Sequence, residues 1–165
     1  MRLYRLHSKQ QLPISKEKAW SFLSDPANLK VITPEAMGFE ILSGADKQMY
    51  AGQIIQYNVS PIAGIKTRWV TEITHVEKGT YFVDEQRYGP YALWHHKHFI
   101  STTAQGIEME DIIDYKIPFG WLGQLVHGLF IKKQLTTIFK YREDKLTSLF
   151  GTIEGAKNYL ELKKI

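Results

Sequence analysis

Hydrophobic and polar positions along this chain fall into three successive patterns. In the first, residues 3–12 read as a strand that stops at Pro13. Ser15 stands where a helix N-cap belongs, with a hydroxyl placed to accept from a free amide of the first turn. The helix that follows runs through Ser24, with Trp20, Phe22 and Leu23 on its buried side. Asp25-Pro26 restarts the chain as N-cap and first helical residue. This brief second helix ends before Thr33-Pro34.

From Phe39 onward the period changes to two, the period of strands. Residues 39–42 form a short strand with a turn at Ser43-Gly44-Ala45-Asp46. Residues 52–59 form the next, with Ile55, Tyr57 and Val59 alternating onto one face, and a turn is expected at residues 61–64. Residues 65–76 make a long strand in which Ile65, Trp69 and Ile73 share a face with Thr67 and Thr71. Lys78-Gly79, Gly89-Pro90 and Ala104-Gln105-Gly106 then separate strands at 80–87, 92–102 and 107–117. Short loops oblige successive strands to pair antiparallel.

The third pattern is helical. After Pro118, residues 120–150 read as one long helix, continuing less regularly toward the C-terminus. Its first half carries Trp121, Leu122, Leu125, Val126, Leu129 and Phe130, and its second half Leu135, Ile138, Phe139, Leu146, Leu149 and Phe150. The two stripes are out of line by roughly 100°, one residue's worth of rotation. Either the helix bends near Gly128 or its halves rest on different surfaces. The order strand, two short helices, six strands, long helix gives an α+β fold. A curved antiparallel sheet of about seven strands has one face to bury, and the long helix is the element able to cover it. Sheet and helix then enclose either a packed core or a cavity.

Composition narrows the function. The chain has 165 residues, the length of one domain, and 13% aromatic residues, which suit a large core or an apolar cavity wall. A net charge of +4, spread along the chain except at Lys132-Lys133 and Lys163-Lys164, is not the dense basic patch of a nucleic-acid face. Cysteine is absent, which excludes disulfides, thiolate metal sites and cysteine nucleophiles. No window reaches the roughly 18 apolar residues of a bilayer span, and Met1-Arg2-Leu3-Tyr4-Arg5 has no signal-type apolar core. A soluble, cytoplasmic protein without stable membrane insertion is expected. No Gly-rich phosphate loop or nucleophile elbow is present, and the sequence names no protein partner.

The candidate chemistry lies in the hairpin of residues 86–99, which holds three of the six histidines. Side chains of a strand alternate, so Trp94, His96 and His98 share one face. A two-residue loop at Ala104-Gln105 places His98 opposite Asp111 and Trp94 opposite Tyr115. A three-residue loop ending at Tyr91 places His96 opposite Asp84 and Trp94 opposite Gln86. One face then collects Phe82, Asp84, Gln86, Trp94, His96, His98, Asp111 and Tyr115, joined by Tyr57 and Trp69. Ile113, Tyr115 and Ile117 travel with this face, while Lys97, Glu110, Asp114 and Lys116 lie on the other, so it is read as inward. Leu93 and Phe99 on the outer face run against that reading.

These residues carry a resemblance. Phe82-x-Asp84-x-Gln86 before Gly89-Pro90-Tyr91, then Trp94-x-His96-x-His98-Phe99, Asp111, Tyr115 and Pro118-x-Gly120-x-Leu122-Gly123 resemble the START-like, or SRPBCC, superfamily over almost the whole chain. Within it the match is nearest to small bacterial proteins with no assigned reaction. The resemblance implies a helix-grip fold, a single ligand-binding domain over residues 1–165, and a lipid, quinone or polyketide-like ligand. No cofactor is expected.

Three readings of the His-Asp pairs stand. They fix strand register, they anchor a ligand in an apolar cavity, or they perform acid-base chemistry. A metal held by His96, His98 and an acid is geometrically possible, though no metal site is assigned. Polar anchoring is expected from Asp84, Gln86, His96, His98, Asp111 and Tyr115. The apolar wall is expected from Tyr57, Trp69, Trp94, Leu122, Val126 and Phe130. A binding protein is the first choice, and the rival is a cyclase, dehydratase or hydrolase using His96, His98, Asp84 and Asp111. A protein-interaction module with a vestigial cavity is the third. His127 is expected on the solvated side of the helix, and His7 and His75 carry no signal.

Overall fold

The computed structural model describes residues 2–62 and 65–165. Strand β1 (Tyr4–Leu12) leads into α1 (Lys16–Leu23), whose first turn is capped as expected, Lys18 N donating to Ser15 Oγ at 3.2 Å. Asp25 Oδ1 accepts from Ala27 N at 2.9 Å, and Pro26–Lys30 follows as a 3-10 helix. A second 3-10 turn at Glu35–Met37 precedes β2 (Glu40–Ser43). The strands β3 (Gln53–Ile62), β4 (Ile65–Glu77), β5 (Tyr81–Tyr88), β6 (Leu93–Thr103) and β7 (Gly106–Lys116) then run as antiparallel hairpins. Of the turn expected at 61–64, Pro61 and Ile62 belong to β3, and residues 63–64 lie outside the described residues.

Helix α2 (Gly120–Val126) passes through a π turn (His127–Ile131) into α3 (Lys132–Phe150). Strand β8 (Tyr159–Lys164) closes the chain. All eight strands form one antiparallel sheet in the order β2-β3-β4-β5-β6-β7-β1-β8. The architecture is the expected α+β helix grip, with one strand more than the pattern gave. The extra strand corrects the reading of the C-terminus as irregular helix. Gly151, at φ 89, ends α3 in a conformation that other residues rarely adopt, and the chain returns to pair Tyr159–Lys164 with β1.

Alternation decides which face is buried. Along β7 each odd residue from Ile107 to Tyr115 is buried. The outer face holds cross-strand ion pairs instead, such as Asp114 with Arg5 at 2.7 Å and with Lys97 at 3.1 Å. Ile65, expected on the inward face, is 65% exposed at the far end of β4.

The C-terminal helix buries one line of residues against the sheet: Gly123, His127, Ile131, Leu135, Phe139, Arg142 and Leu146. The π turn falls at Gly128, where a bend was one of two expectations. A π turn carries one residue more than an α turn, and that is the rotation the two apolar stripes differ by. The consequence reverses the first half. Gly123 and His127 face inward, while Trp121, Leu122, Leu125, Val126, Leu129 and Phe130 are exposed. Sequence patterning placed these large apolar residues inward and His127 outward, and both placements are corrected.

Candidate functional site

Between the sheet and α3 lies a cavity of about 200 Å³. Tyr57 on β3, Trp69 on β4 and Trp94 on β6 meet Tyr91 of the β5–β6 loop in an aromatic wall. Trp69 packs edge-on against both Tyr91 and Trp94, at 5.6 and 5.3 Å between ring centres. The opposite wall is Leu135, Ile138 and Phe139 of α3. The hydroxyl of Thr71 accepts from Trp69 Nε1 at 3.0 Å and bonds the Tyr57 hydroxyl at 3.0 Å. Burial pushes the Tyr57 and Tyr91 phenols above their ordinary values, so both are uncharged.

Polar groups enter this cavity from Asp84, His96, His98 and Arg142. The predicted register places His96 opposite Asp84 and His98 opposite Asp111, as found. The side chains also cross that register. His98 Nε2 lies 2.8 Å from Asp84 Oδ2, and His96 Nε2 lies 3.1 Å from Asp111 Oδ1. His96 Nδ1 is 3.5 Å from Asp84, and His98 Nδ1 is 2.7 Å from Asp111 Oδ1, a close ion-pair contact without hydrogen-bond alignment. Each imidazole therefore touches both carboxylates, and the two rings sit 3.6 Å apart.

Two imidazoles this close cannot both be charged cheaply. Burial and the neighbouring His98 charge lower His96 to about 4, so it is neutral. Burial also works against charge on His98, but its contacts with Asp111 and Asp84 outweigh it and raise its pKa. Burial would raise Asp111; Arg142, His96 and His98 instead hold it well below the usual carboxylate range. Asp84 is lowered too, against burial, by His96 and His98. Both carboxylates are thus held ionised beside the Arg142 guanidinium, and the shift on His98 favours its imidazolium, so the cluster pairs its charges internally.

Arg142 is the member that sequence reasoning missed. It approaches Asp111 with Nη1 at 3.5 Å, and its buried Nε has no hydrogen-bond partner among the described residues. The available signal was its spacing: Leu135, Phe139, Arg142 and Leu146 share one helical face, so an arginine stands in an apolar line. Tyr91 was also missed as a wall residue, because a loop carries no periodicity.

Six of the twelve expected site residues line the cavity: Tyr57, Trp69, Asp84, Trp94, His96 and His98. The other six do not. Asp111 is fully buried behind the histidines and holds them in place. Gln86 bonds the Tyr91 backbone, Nε2 to O at 2.7 Å and N to Oε1 at 3.1 Å, and so fixes the loop that carries Tyr91. The Tyr115 hydroxyl bonds His127 Nε2 at 2.8 Å, away from the cavity. Leu122, Val126 and Phe130 face outward. Ligand atoms of Asp84, His96 and His98 lie within 4.8 Å of one another, close enough to hold a metal ion.

No protein-family model matches the chain, and no curated protein matches its sequence. Solved structures match its fold. A START superfamily protein from Mycobacterium smegmatis superposes with a TM-score of 0.65 at 16% identity, covering 90% of this chain and 99% of that one. A protein from Chromobacterium violaceum gives 0.67 at 14% identity, covering 93% and 100%. One from Thermus thermophilus gives 0.62 at 13% identity, covering 88% and 98%. The START-like helix-grip fold is therefore shared.

Proposed function

We propose, from the START-like helix-grip fold as premise, that this protein binds a small, uncharged, largely apolar molecule between its sheet and α3. The observation that carries the reading is the aromatic cavity whose polar lining gathers Asp84, His96, His98 and Arg142 at one place. Ligand sites combine apolar walls with a few convergent polar groups. Size favours a ring: a cavity of roughly 150 Å³ holds benzene, and this one is about 200 Å³. A quinone or polyketide-like ring system suits it, as does the ring-bearing head of a lipid whose tail leaves through the mouth. Charge favours neutrality. The cluster already pairs its carboxylates with His98 and Arg142, and an anion would add an uncompensated buried charge. A carbonyl oxygen accepting from Arg142 adds none.

The test is titration with a short-chain benzoquinone, read by quenching of Trp69 and Trp94. Saturable quenching is expected, weakened about tenfold or more in Arg142→Met, since a hydrogen bond to a charged group contributes about 1.5–3 kcal/mol. Quenching that does not saturate, or that Arg142→Met leaves unchanged, refutes the reading.

A second reading is favoured by His98 at the cavity wall with its Nε2 2.8 Å from Asp84 Oδ2: a histidine oriented by a carboxylate can serve acid-base chemistry in a cyclase, dehydratase or hydrolase step. A bell-shaped pH-rate profile lost in His96→Ala or His98→Ala would select it.

A further inference from the structure

We propose that the outward face of α2 and the π turn docks on an anionic lipid bilayer surface. The helix is amphipathic in the reverse of the usual sense. A surface helix of a globular protein turns its large apolar residues toward the core. Here the inward line is Gly123 and His127, and the inward fit is specific. His127 stacks on Tyr4 with ring centres 3.7 Å apart and bonds the Tyr115 hydroxyl at 2.8 Å. A Cβ at Gly123 would lie 1.9 Å from Pro118 O, so nothing larger than glycine fits there. The outward set is Phe119, Trp121, Leu122, Leu125, Leu129 and Phe130, with Phe119 81% and Trp121 73% exposed. Phe119 is also the one non-glycine residue with positive φ among the described residues, at 66°. That conformation costs free energy, and it presents the ring to solvent.

Charge selects the occupant. Lys132 and Lys133 follow Leu129 and Phe130 at three- and four-residue spacing, so the exposed lysines continue the apolar face. From Tyr115 to Arg142 the sequence contains no Asp or Glu. A second copy seated on this face would bring the lysines against a surface with no acid to pair them. An anionic bilayer supplies both missing complements, headgroup charge for the lysines and acyl boundary for Trp, Phe and Leu. The proposed contact is peripheral; among the described residues no helix is long and apolar enough to cross a membrane.

The test is cosedimentation of the full chain with vesicles of phosphatidylcholine alone and of phosphatidylcholine mixed with phosphatidylglycerol. Binding to the mixed vesicles is expected, weakening as salt rises. The double variant K132E/K133E should weaken it by about 30-fold or more, each lysine near an anionic surface contributing roughly fivefold. L125E/L129E should abolish it while circular dichroism stays unchanged, because both side chains are exposed. Three results overturn the proposal: no binding to either vesicle, binding unaffected by the lysine reversals, or a dimer in sedimentation equilibrium that L125E/L129E dissociates. The last would assign the face to a second copy.

Discussion

Asp111→Asn is the sharpest single perturbation of the buried cluster. The substitution keeps shape and one acceptor but removes a charge that is fully buried. Two cations lean on that charge, His98 at 2.7 Å and Arg142 at 3.5 Å. Removing one partner of a buried ion pair costs about 3–5 kcal/mol, a large part of the roughly 5–15 kcal/mol that holds a domain folded. His98 can relieve part of this by giving up its proton, and that makes the loss depend on pH. In the parent protein the folded-state pKa of His98 is raised, so its contribution is complete below the ordinary value of 6.5. In the variant only Asp84 still opposes burial, so the folded pKa drops. The parent fold then holds a proton that the variant fold does not, and the variant's loss relative to the parent grows as pH falls, by at most about 1.4 kcal/mol per pH unit. Urea unfolding at pH 7 and pH 5, followed by circular dichroism, measures both effects. A loss below about 1 kcal/mol that is the same at both pH values would refute the assignment of charge within the cluster.

Two further predictions follow from the same geometry. His96 is neutral in the fold with a pKa of about 4, so the unfolded chain takes up its proton first. Parent stability should fall by about 3 kcal/mol between pH 6.5 and pH 4; His127, also lowered, adds in the same direction. Stability should decline on the alkaline side as well, through the raised pKa of His98, so urea midpoints should peak near pH 6.5, and a profile flat from pH 4 to 7 would contradict this. Gly123→Ala should destabilise by about 1–3 kcal/mol through the clash with Pro118 O, although alanine for glycine in a helix ordinarily stabilises by about 1 kcal/mol. A raised thermal midpoint would show that α2 does not sit where described.

The central hairpins were legible because two constraints act together. A period of two fixed the faces, and short loops fixed the pairing, so the registers of His96 with Asp84 and His98 with Asp111 followed from loop length alone. The diagonal contacts did not follow, because long side chains reach neighbours on either side of their partner. Strand β8 was illegible for a different reason. Residues Tyr159–Lys164 carry no strong alternation and become a strand by pairing with the edge that β1 leaves open. Helix α2 misled because amphipathicity reports which face is apolar, not what covers it. Its inward line is set by the room that Gly123 leaves and by the hydrogen bond of His127 to Tyr115. Arg142 was overlooked because its helical neighbours read as core, and the carboxylate that tolerates it, Asp111, is distant in sequence.

Whether the cavity is occupied is the question that most directly tests the account. Native mass spectrometry of the protein, purified gently from its own host, should give a mass above the denatured one by a discrete increment. That increment should belong to a neutral, ring-bearing compound and should diminish in Arg142→Met. A native mass equal to the denatured mass, unchanged after incubation with excess short-chain quinone, would contradict ligand binding and leave the cluster a structural device.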